Sequence, residues 1–252
     1  VADILGTSKK VVNSWSENKL KPIIDQKTGK KFFLLDELRS LPSASFLFDT
    51  KWDEEERIKP QRNYKIIELF AGAGGLALGL EKAGFQSLLL NEIDRDACET
   101  LKKNRVNWNV KNCDIKDYDF TKFKGKVDLL TGGFPCQAFS YAGKKLGFND
   151  TRGSLFYEFA RAIKETNPKV ILAENVKGLV SHDSGKTLET IRDIIDEIGY
   201  ELVEPKVLKA IFYKVPQKRE RIFLVAIRKD LSRYVSFNYP AKFPKIFTLR
   251  DA

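Results

Sequence analysis

A cysteine that directly follows a proline at the end of an apolar run sits on a rigid loop, with its sulfur turned to a site instead of the core. Cys136 is such a residue: the run Val127 to Gly132 passes straight into Gly133-Phe134-Pro135-Cys136-Gln137-Ala138-Phe139-Ser140. As a thiolate it is a nucleophile. Another apolar run ends in Ala173-Glu174-Asn175-Val176, which puts a carboxyl group at the same edge. In a partly dehydrated pocket such an acid can have a raised pKa and give up a proton to a substrate. Further on, Pro216-Gln217-Lys218-Arg219-Glu220-Arg221 offers guanidinium forks for carbonyl or phosphate oxygens, although alone it reads equally well as a solvated charge run. Cys98 and Cys113 read as small buried hydrophobes. His182, the only histidine, falls in a polar loop and reads as a loop-ordering residue.

A second group of residues could hold a nucleotide-like ligand. Glu68-Leu69-Phe70-Ala71-Gly72-Ala73-Gly74-Gly75 runs from a strand into a helix, and its glycines let the backbone turn tightly and approach a ligand closely. The form is FxGxGG, without the third spaced glycine of GxGxxG. About 20 residues on, Asn91-Glu92-Ile93-Asp94 offers acids that accept hydrogen bonds from ribose hydroxyls. Asp114 follows the next short strand. Acids near an adenosine, with no P-loop lysine, favour S-adenosylmethionine over NAD; the alternative for Asp94, and the lesser one for Asp114, is an ordinary helix cap.

These residues need elements to position them. Strands are predicted at Lys65 to Leu69, Ser87 to Asn91, Val127 to Gly132, Val170 to Glu174, Glu201 to Leu208 and Arg221 to Arg228. Helices are predicted at Gly75 to Ala83, Arg95 to Asn104, Leu155 to Thr166 and Lys186 to Ile198. Such alternation implies an α/β fold with a mostly parallel sheet and helices on both faces, its ligands at the carboxyl ends of the strands. Residues 1–41 read as a separate small unit: the end of one helix, a second helix capped by Thr7 or Ser8, a hairpin joining Ile23-Ile24 to Phe32-Phe33, and a short helix from Asp36. Residues 42–63 read as a charged linker, and 64–252 as the catalytic domain.

The chain of 252 residues is 42% hydrophobic and 31% charged, too apolar for a disordered tail and too charged for a membrane protein. No uncharged apolar run reaches membrane-spanning length and no secretory leader opens it. Three cysteines without a CxxC pair argue against a disulfide or zinc scaffold and for a reducing, cytoplasmic compartment. Between Pro205 and Arg250 stand 12 basic and 2 acidic residues, which accounts for the whole net charge of +10 and directs a polyanionic partner to that third.

The ordered segments ELFAGAGG, NEID, CDI, GFPCQAFS, RGSLFYEFARAI, AENV and PQKRERI, between Tyr64 and Arg228, resemble the C5-cytosine DNA methyltransferases. The resemblance implies a Rossmann-like methyltransferase sheet, S-adenosylmethionine as methyl donor and double-stranded DNA as partner, within a bacterial restriction-modification system. It implies that Phe70, Ala71, Gly72, Gly74, Gly75, Glu92, Ile93, Asp114, Ile115, Pro135 and Leu155 line the donor. Cys136 is the implied nucleophile, Glu174 the acid that binds the base, and Arg219 and Arg221 the arginines around the target ring. Gln137, Ser140 and Lys218 are implied DNA contacts. Glu68 stands where many members have aspartate, which keeps the charge. The first 41 residues resemble the winged helix-turn-helix modules of excisionase and MerR-type DNA-binding proteins; a protein-docking module is the alternative.

Val1 opens the chain without an initiator, there is no methionine, and Thr248 to Ala252 resemble only the start of the family's penultimate motif. The expectation is an incomplete enzyme: a fragment, a split enzyme whose second polypeptide supplies target recognition, or a remnant, which the intact motifs disfavour. An RNA cytosine methyltransferase and a DNA-binding regulator with an incomplete methyltransferase body are the rival readings.

Overall fold

Runs such as Ile66-Ile67 and Leu129-Leu130 have no polar alternation, as expected of strands covered on both faces. The computed structural model describes residues 2–5, 7–34, 36–48, 54, 57–135 and 154–243. The chain divides into two compact units, one of residues 1–58, 209–219 and 239–252, the other of residues 59–208 and 220–238.

The smaller unit begins with helices α1 (Ala2–Leu5) and α2 (Lys9–Asn18). Of the two expected caps, Ser8 is the one used, accepting from the Val11 N–H at 3.3 Å. Strands β1 (Ile23–Ile24) and β2 (Lys31–Phe32) form an antiparallel hairpin. Its turn is closed by Asp25, whose carboxylate accepts from the N–H groups of Lys27 and Thr28 at 2.9 and 2.8 Å. Asp36–Ser40 and Pro42–Leu47 are 3-10 turns. Leu20, Leu38, Leu41 and Ala44 form the core of this unit, with Trp15, Phe33 and Phe48 packed against it.

The larger unit carries β3 (Tyr64–Leu69), α3 (Gly75–Lys82), β4 (Phe85–Glu92), α4 (Arg95–Asn104), β5 (Val110–Asn112), β6 (Leu129–Gly132), α5 (Leu155–Thr166), β7 (Val170–Val176), α6 (Lys186–Glu197), β8 (Tyr200–Leu202), β9 (Lys206–Lys209), β10 (Glu220–Arg228) and the single turn α7 (Lys229–Ser232). The strand order is β5-β4-β3-β6-β7-β10-β8, with β9 also paired to β10. The first five strands are parallel, whereas β10 runs antiparallel to both β7 and β8. The sheet is therefore mixed.

Helices cover both faces. Phe159 and Ile163 of α5 and Ile191 and Ile194 of α6 pack with Ile67, Leu69 and Leu130 of the sheet. Ala77 of α3 and Cys98 and Leu101 of α4 pack with Leu90 on the other side. Each fully buried side chain of this size contributes about 1.5–3 kcal/mol. One expected element is corrected: Glu201 to Leu208 is not one strand but two, β8 and β9, because Pro205 between them has no N–H to give a ladder.

At the amino ends of the strands, Asp128 binds three partners. Its carboxylate accepts from the Lys65 N–H and from Lys169 Nζ, each at 2.9 Å, and from the Arg62 guanidinium. Desolvation alone would raise this carboxyl, but together the hydrogen bonds from Arg62, Lys169 and Lys65 outweigh it and hold the group well below the usual carboxylate range. A depressed acid stabilises the fold above the unfolded-state pKa and loses that contribution as pH falls through the folded value. Asp128→Asn is therefore expected to cost about 1–3 kcal/mol of unfolding free energy at pH 7. In urea titrations the variant and the parent should converge as the pH drops below about 4.

Candidate active site

The register of the parallel strands fixes which residues share an edge. Leu69 pairs with Asn91 on one side and Gly132 on the other, and Gly132 pairs with Ala173. One residue further along each strand stand Phe70, Glu92, Gly133 and Glu174. The glycine turn, the expected ribose acid, the segment leading to Cys136 and the expected base-binding acid thus occupy one row at the carboxyl rim.

The turn after β3 is shaped by backbone constraint. Phe70, Gly72 and Gly74 all have positive φ, and a Cβ at Gly74 would lie 2.5 Å from Leu101 Cδ2. Among the described residues, nothing stands within 4 Å of where a Cβ of Gly72 or Gly75 would be. Glu92 braces the turn from β4: one carboxylate oxygen accepts from the Gly72 N–H at 2.7 Å, the other from the N–H groups of Ile93 and Asp94 at 2.8 and 2.9 Å. Asp94 caps α4, accepting from the Ala97 N–H at 2.7 Å. Asp114 caps the short turn Ile115–Asp117 through the Lys116 N–H, and Ile115 is buried in the main core. Leu155, the first residue of α5, is partly buried against the same core, and Ser154 caps that helix.

Glu174 is held from β10. Arg221 Nε lies 2.9 Å from Glu174 Oε1, with roughly a quarter of each side chain exposed. A Cβ on Gly133 would be 3.1 Å from Glu174 Oε2, so glycine there lets the carboxylate lie against the next strand's exit. Lys218 and Arg219 belong to the smaller unit, where the Arg219 carbonyl accepts from the Ala210 N–H. Cys136, Gln137 and Ser140 lie outside the described residues, as do Thr248 to Ala252.

Two anchors escaped the sequence reading. Phe134 is buried between Phe156 and Phe159, with ring centroids 5.1 and 5.6 Å away, and its carbonyl accepts from the buried Asn175 Nδ2 at 2.9 Å. The chain is thereby pinned up to Pro135. Arg161 on α5 binds Glu158 and Glu165, each at 2.7 Å, and donates to the Ile115 and Tyr118 carbonyls at 2.7 and 3.2 Å. This fixes the loop that carries Asp114. Each had one visible signal: Asn175 its place beside Glu174 in a strand, and Arg161 its place within the segment RGSLFYEFARAI. His182 Nδ1 pairs with Thr187 Oγ1 at 2.7 Å, joining its loop to α6.

Glycine turn, bracing acid and rim carboxylate stand together at the carboxyl edge of the strands, where open α/β sheets bind their ligands. Among solved structures, a prophage-encoded DNA modification methyltransferase of Escherichia coli superposes with a TM-score of 0.62 and 28% identity, over 75% of this chain and 54% of that one. The description C-5 cytosine-specific DNA methylase matches residues 64–251, and the chain belongs to that family. It is 57% identical to the Type II methyltransferase M.Eco47II of Escherichia coli and 54% identical to M.PspPI of Psychrobacter sp. (strain TA137), over all of its own length. It spans 60% and 61% of the length of those relatives.

The turn fits the family's methyl donor, S-adenosylmethionine. Among the described residues there is open space beside Gly72 and Gly75, Glu92 offers acceptor oxygens at the rim, and a buried oxygen of Glu68 has no hydrogen-bond partner.

Removing the Asn175 amide should loosen the Pro135 segment. Asn175→Ala leaves the buried Phe134 carbonyl unpaired, and the expected loss is about 1–3 kcal/mol in urea unfolding. Faster amide hydrogen exchange should accompany it in the strand β6 exit.

Proposed function

We propose that the chain is the catalytic part of a DNA cytosine-5 methyltransferase that moves a methyl group from S-adenosylmethionine to C5 of a cytosine flipped out of double-stranded DNA. The observation that carries this reading is the rim row itself: Phe70, Glu92, Gly133 and Glu174 stand side by side, with Cys136 three residues beyond Gly133. Glu92, Gly72 and the open turn would hold the donor, with Asp114, Ile115, Pro135 and Leu155 completing its pocket. When bound, the donor supplies an electrophilic methyl group on a sulfonium.

Cytosine C5 is a poor nucleophile, so the work of this chain is to make it a better one. The Cys136 thiolate adds to C6, which turns the ring into an enamine with electron density at C5. Glu174 holds N3 and stabilises that ring, and Arg221 holds Glu174 in place through its bond to Oε1. Once C5 carries the methyl group, loss of its proton to solvent drives elimination of the Cys136 thiolate from C6 and releases 5-methylcytosine. Flipping the base costs a few kcal/mol, which phosphate contacts from the basic residues after Pro205, Lys218 among them, offset. Gln137, Ser140 and Arg219 complete the contacts to the extruded base and its strand.

The names of the relatives, Type II methyltransferases, support placing the chain in a restriction-modification system, and we read its compartment as the cytoplasm. Those relatives carry the remainder of their length on the same polypeptide as the matched part, so they lend no support to a second subunit. We read residues 1–41 as a helix-turn-helix that touches DNA, a reading supported by the Ser8-capped α2 followed by the β1–β2 hairpin.

Cys136→Ala and Cys136→Ser should abolish methyl transfer in a protein carrying the full length of its relatives. Oligonucleotides with 5-fluorocytosine at the target should trap a covalent adduct that peptide mapping assigns to Cys136. Transfer that survives the alanine substitution would refute the nucleophile. Glu174→Gln should lower kcat about 10²- to 10³-fold with donor binding retained.

A further inference from the structure

Glu68 is a carboxylic acid in a place that does not suit an anion. It lies on β3 two residues before the rim row, is 2% exposed, and its Oε2 has no hydrogen-bond partner among the described residues. Native structures keep few such atoms, and each asks for a reason. Alternation along β3 turns Ile67 and Leu69 toward α5 and α6, so Glu68 turns toward α3 and α4. Its register neighbours are Leu90 on β4 and Thr131 on β6, neither of them titratable. Burial acts on it most, and the charged group that adds to burial is Glu92 of β4; on α4 stand the Cys98 thiol, which donates to the Glu92 carbonyl, and the capping Asp94.

Glu92 stands two residues beyond Glu68's register partner Leu90, on the same face of the sheet, and among the described residues no cation is hydrogen-bonded or ion-paired to either acid, so the charge arrangement is incomplete. Burial, with Glu92 adding to it, pushes Glu68 up to about 8, so near neutral pH it carries its proton. Glu92 meanwhile spends its oxygens on the turn through the Gly72 N–H. What would complete the arrangement is positive charge arriving at the glycine turn.

We propose that Glu68 is a proton-linked recognition group for the cationic methyl donor: its O–H ionises when a sulfonium enters the turn, the proton passing to solvent. This rests on the donor reading of the preceding section. The product of transfer has a neutral sulfur, so the same acid distinguishes donor from product. Glu68 becomes a carboxylate against the cation and recovers a proton from solvent once the methyl group has left.

Calorimetric titration of the chain at pH 7 in phosphate and in Tris separates proton release from binding. S-adenosylmethionine should release up to about 0.9 proton per molecule bound, the fraction that an acid of pKa near 8 still holds at pH 7. S-adenosylhomocysteine should release less than about a third of that. Donor affinity should rise about tenfold from pH 6 to pH 7 and level off above pH 8, as proton linkage requires. Glu68→Gln, an uncharged isostere, should bind the donor more weakly, with no proton released and little pH dependence. Carboxyl carbon shifts of the unsubstituted free chain give a second readout, with a Glu68 midpoint above pH 7. Equal proton release with donor and product, donor binding without release, or a Glu68 midpoint below pH 6 would each overturn the proposal while leaving the donor pocket intact. Failure to bind the donor at any pH would refute the pocket and the proposal with it.

Discussion

Parallel strands in register end together, and everything at this site depends on that. Hydrogen bonding between β4, β3, β6 and β7 leaves no freedom to slide one strand without turning its side chains to the opposite face. Once Leu69 is opposite both Asn91 and Gly132, and Gly132 opposite Ala173, the next residue of each strand must emerge at one edge. Residues separated by more than 100 positions in sequence, Phe70 and Glu174, become members of a single row. The antiparallel β10 then returns along β7, so that Arg221 reaches the Glu174 carboxylate across the sheet edge.

Register places the strand ends but not the loops that leave them, and here the chain uses side chains on backbone groups. Glu92 holds the Gly72 N–H, Asn175 holds the Phe134 carbonyl, and Arg161 holds the carbonyls of Ile115 and Tyr118. In each case a polar group of an irregular segment, which would cost free energy if buried unpaired, is satisfied from a regular element. The opposite end of the sheet is tied by the same device, with Asp128 joining the starts of β3, β6 and β7. The carboxyl rim can then be open and glycine-rich without loss of order.

Much of this was legible in the sequence because local signals agreed with the fold. Helices α4 and α5 begin and end where expected, since Asp94 and Ser154 cap their first turns and Asn167 takes a left-handed conformation after α5. The sheet's edge was harder to read. Glu201 to Leu208 is apolar enough for one strand, yet Pro205 divides it, and periodicity does not reveal that β10 runs against its neighbours. The anchors were the least legible part. Asn175 and Phe134 are 41 residues apart, Arg161 and Ile115 are 46, and nothing in composition or spacing announces a hydrogen bond over such distances.

The Glu174–Arg221 pair shows why the site needs both partners. A carboxylate about three-quarters covered loses much of its hydration, and leaving its charge unpaired there costs free energy. Arg221 supplies a compensating charge at 2.9 Å and, because a guanidinium fork has a fixed plane, also sets the direction of Oε1. A lysine could supply the charge but not the direction. The missing Cβ at Gly133 does the corresponding work on the other oxygen, allowing Oε2 to lie against the exit of β6. Charge from one neighbour and clearance from the other bring the acid to the strand exit that leads, three residues later, to Cys136.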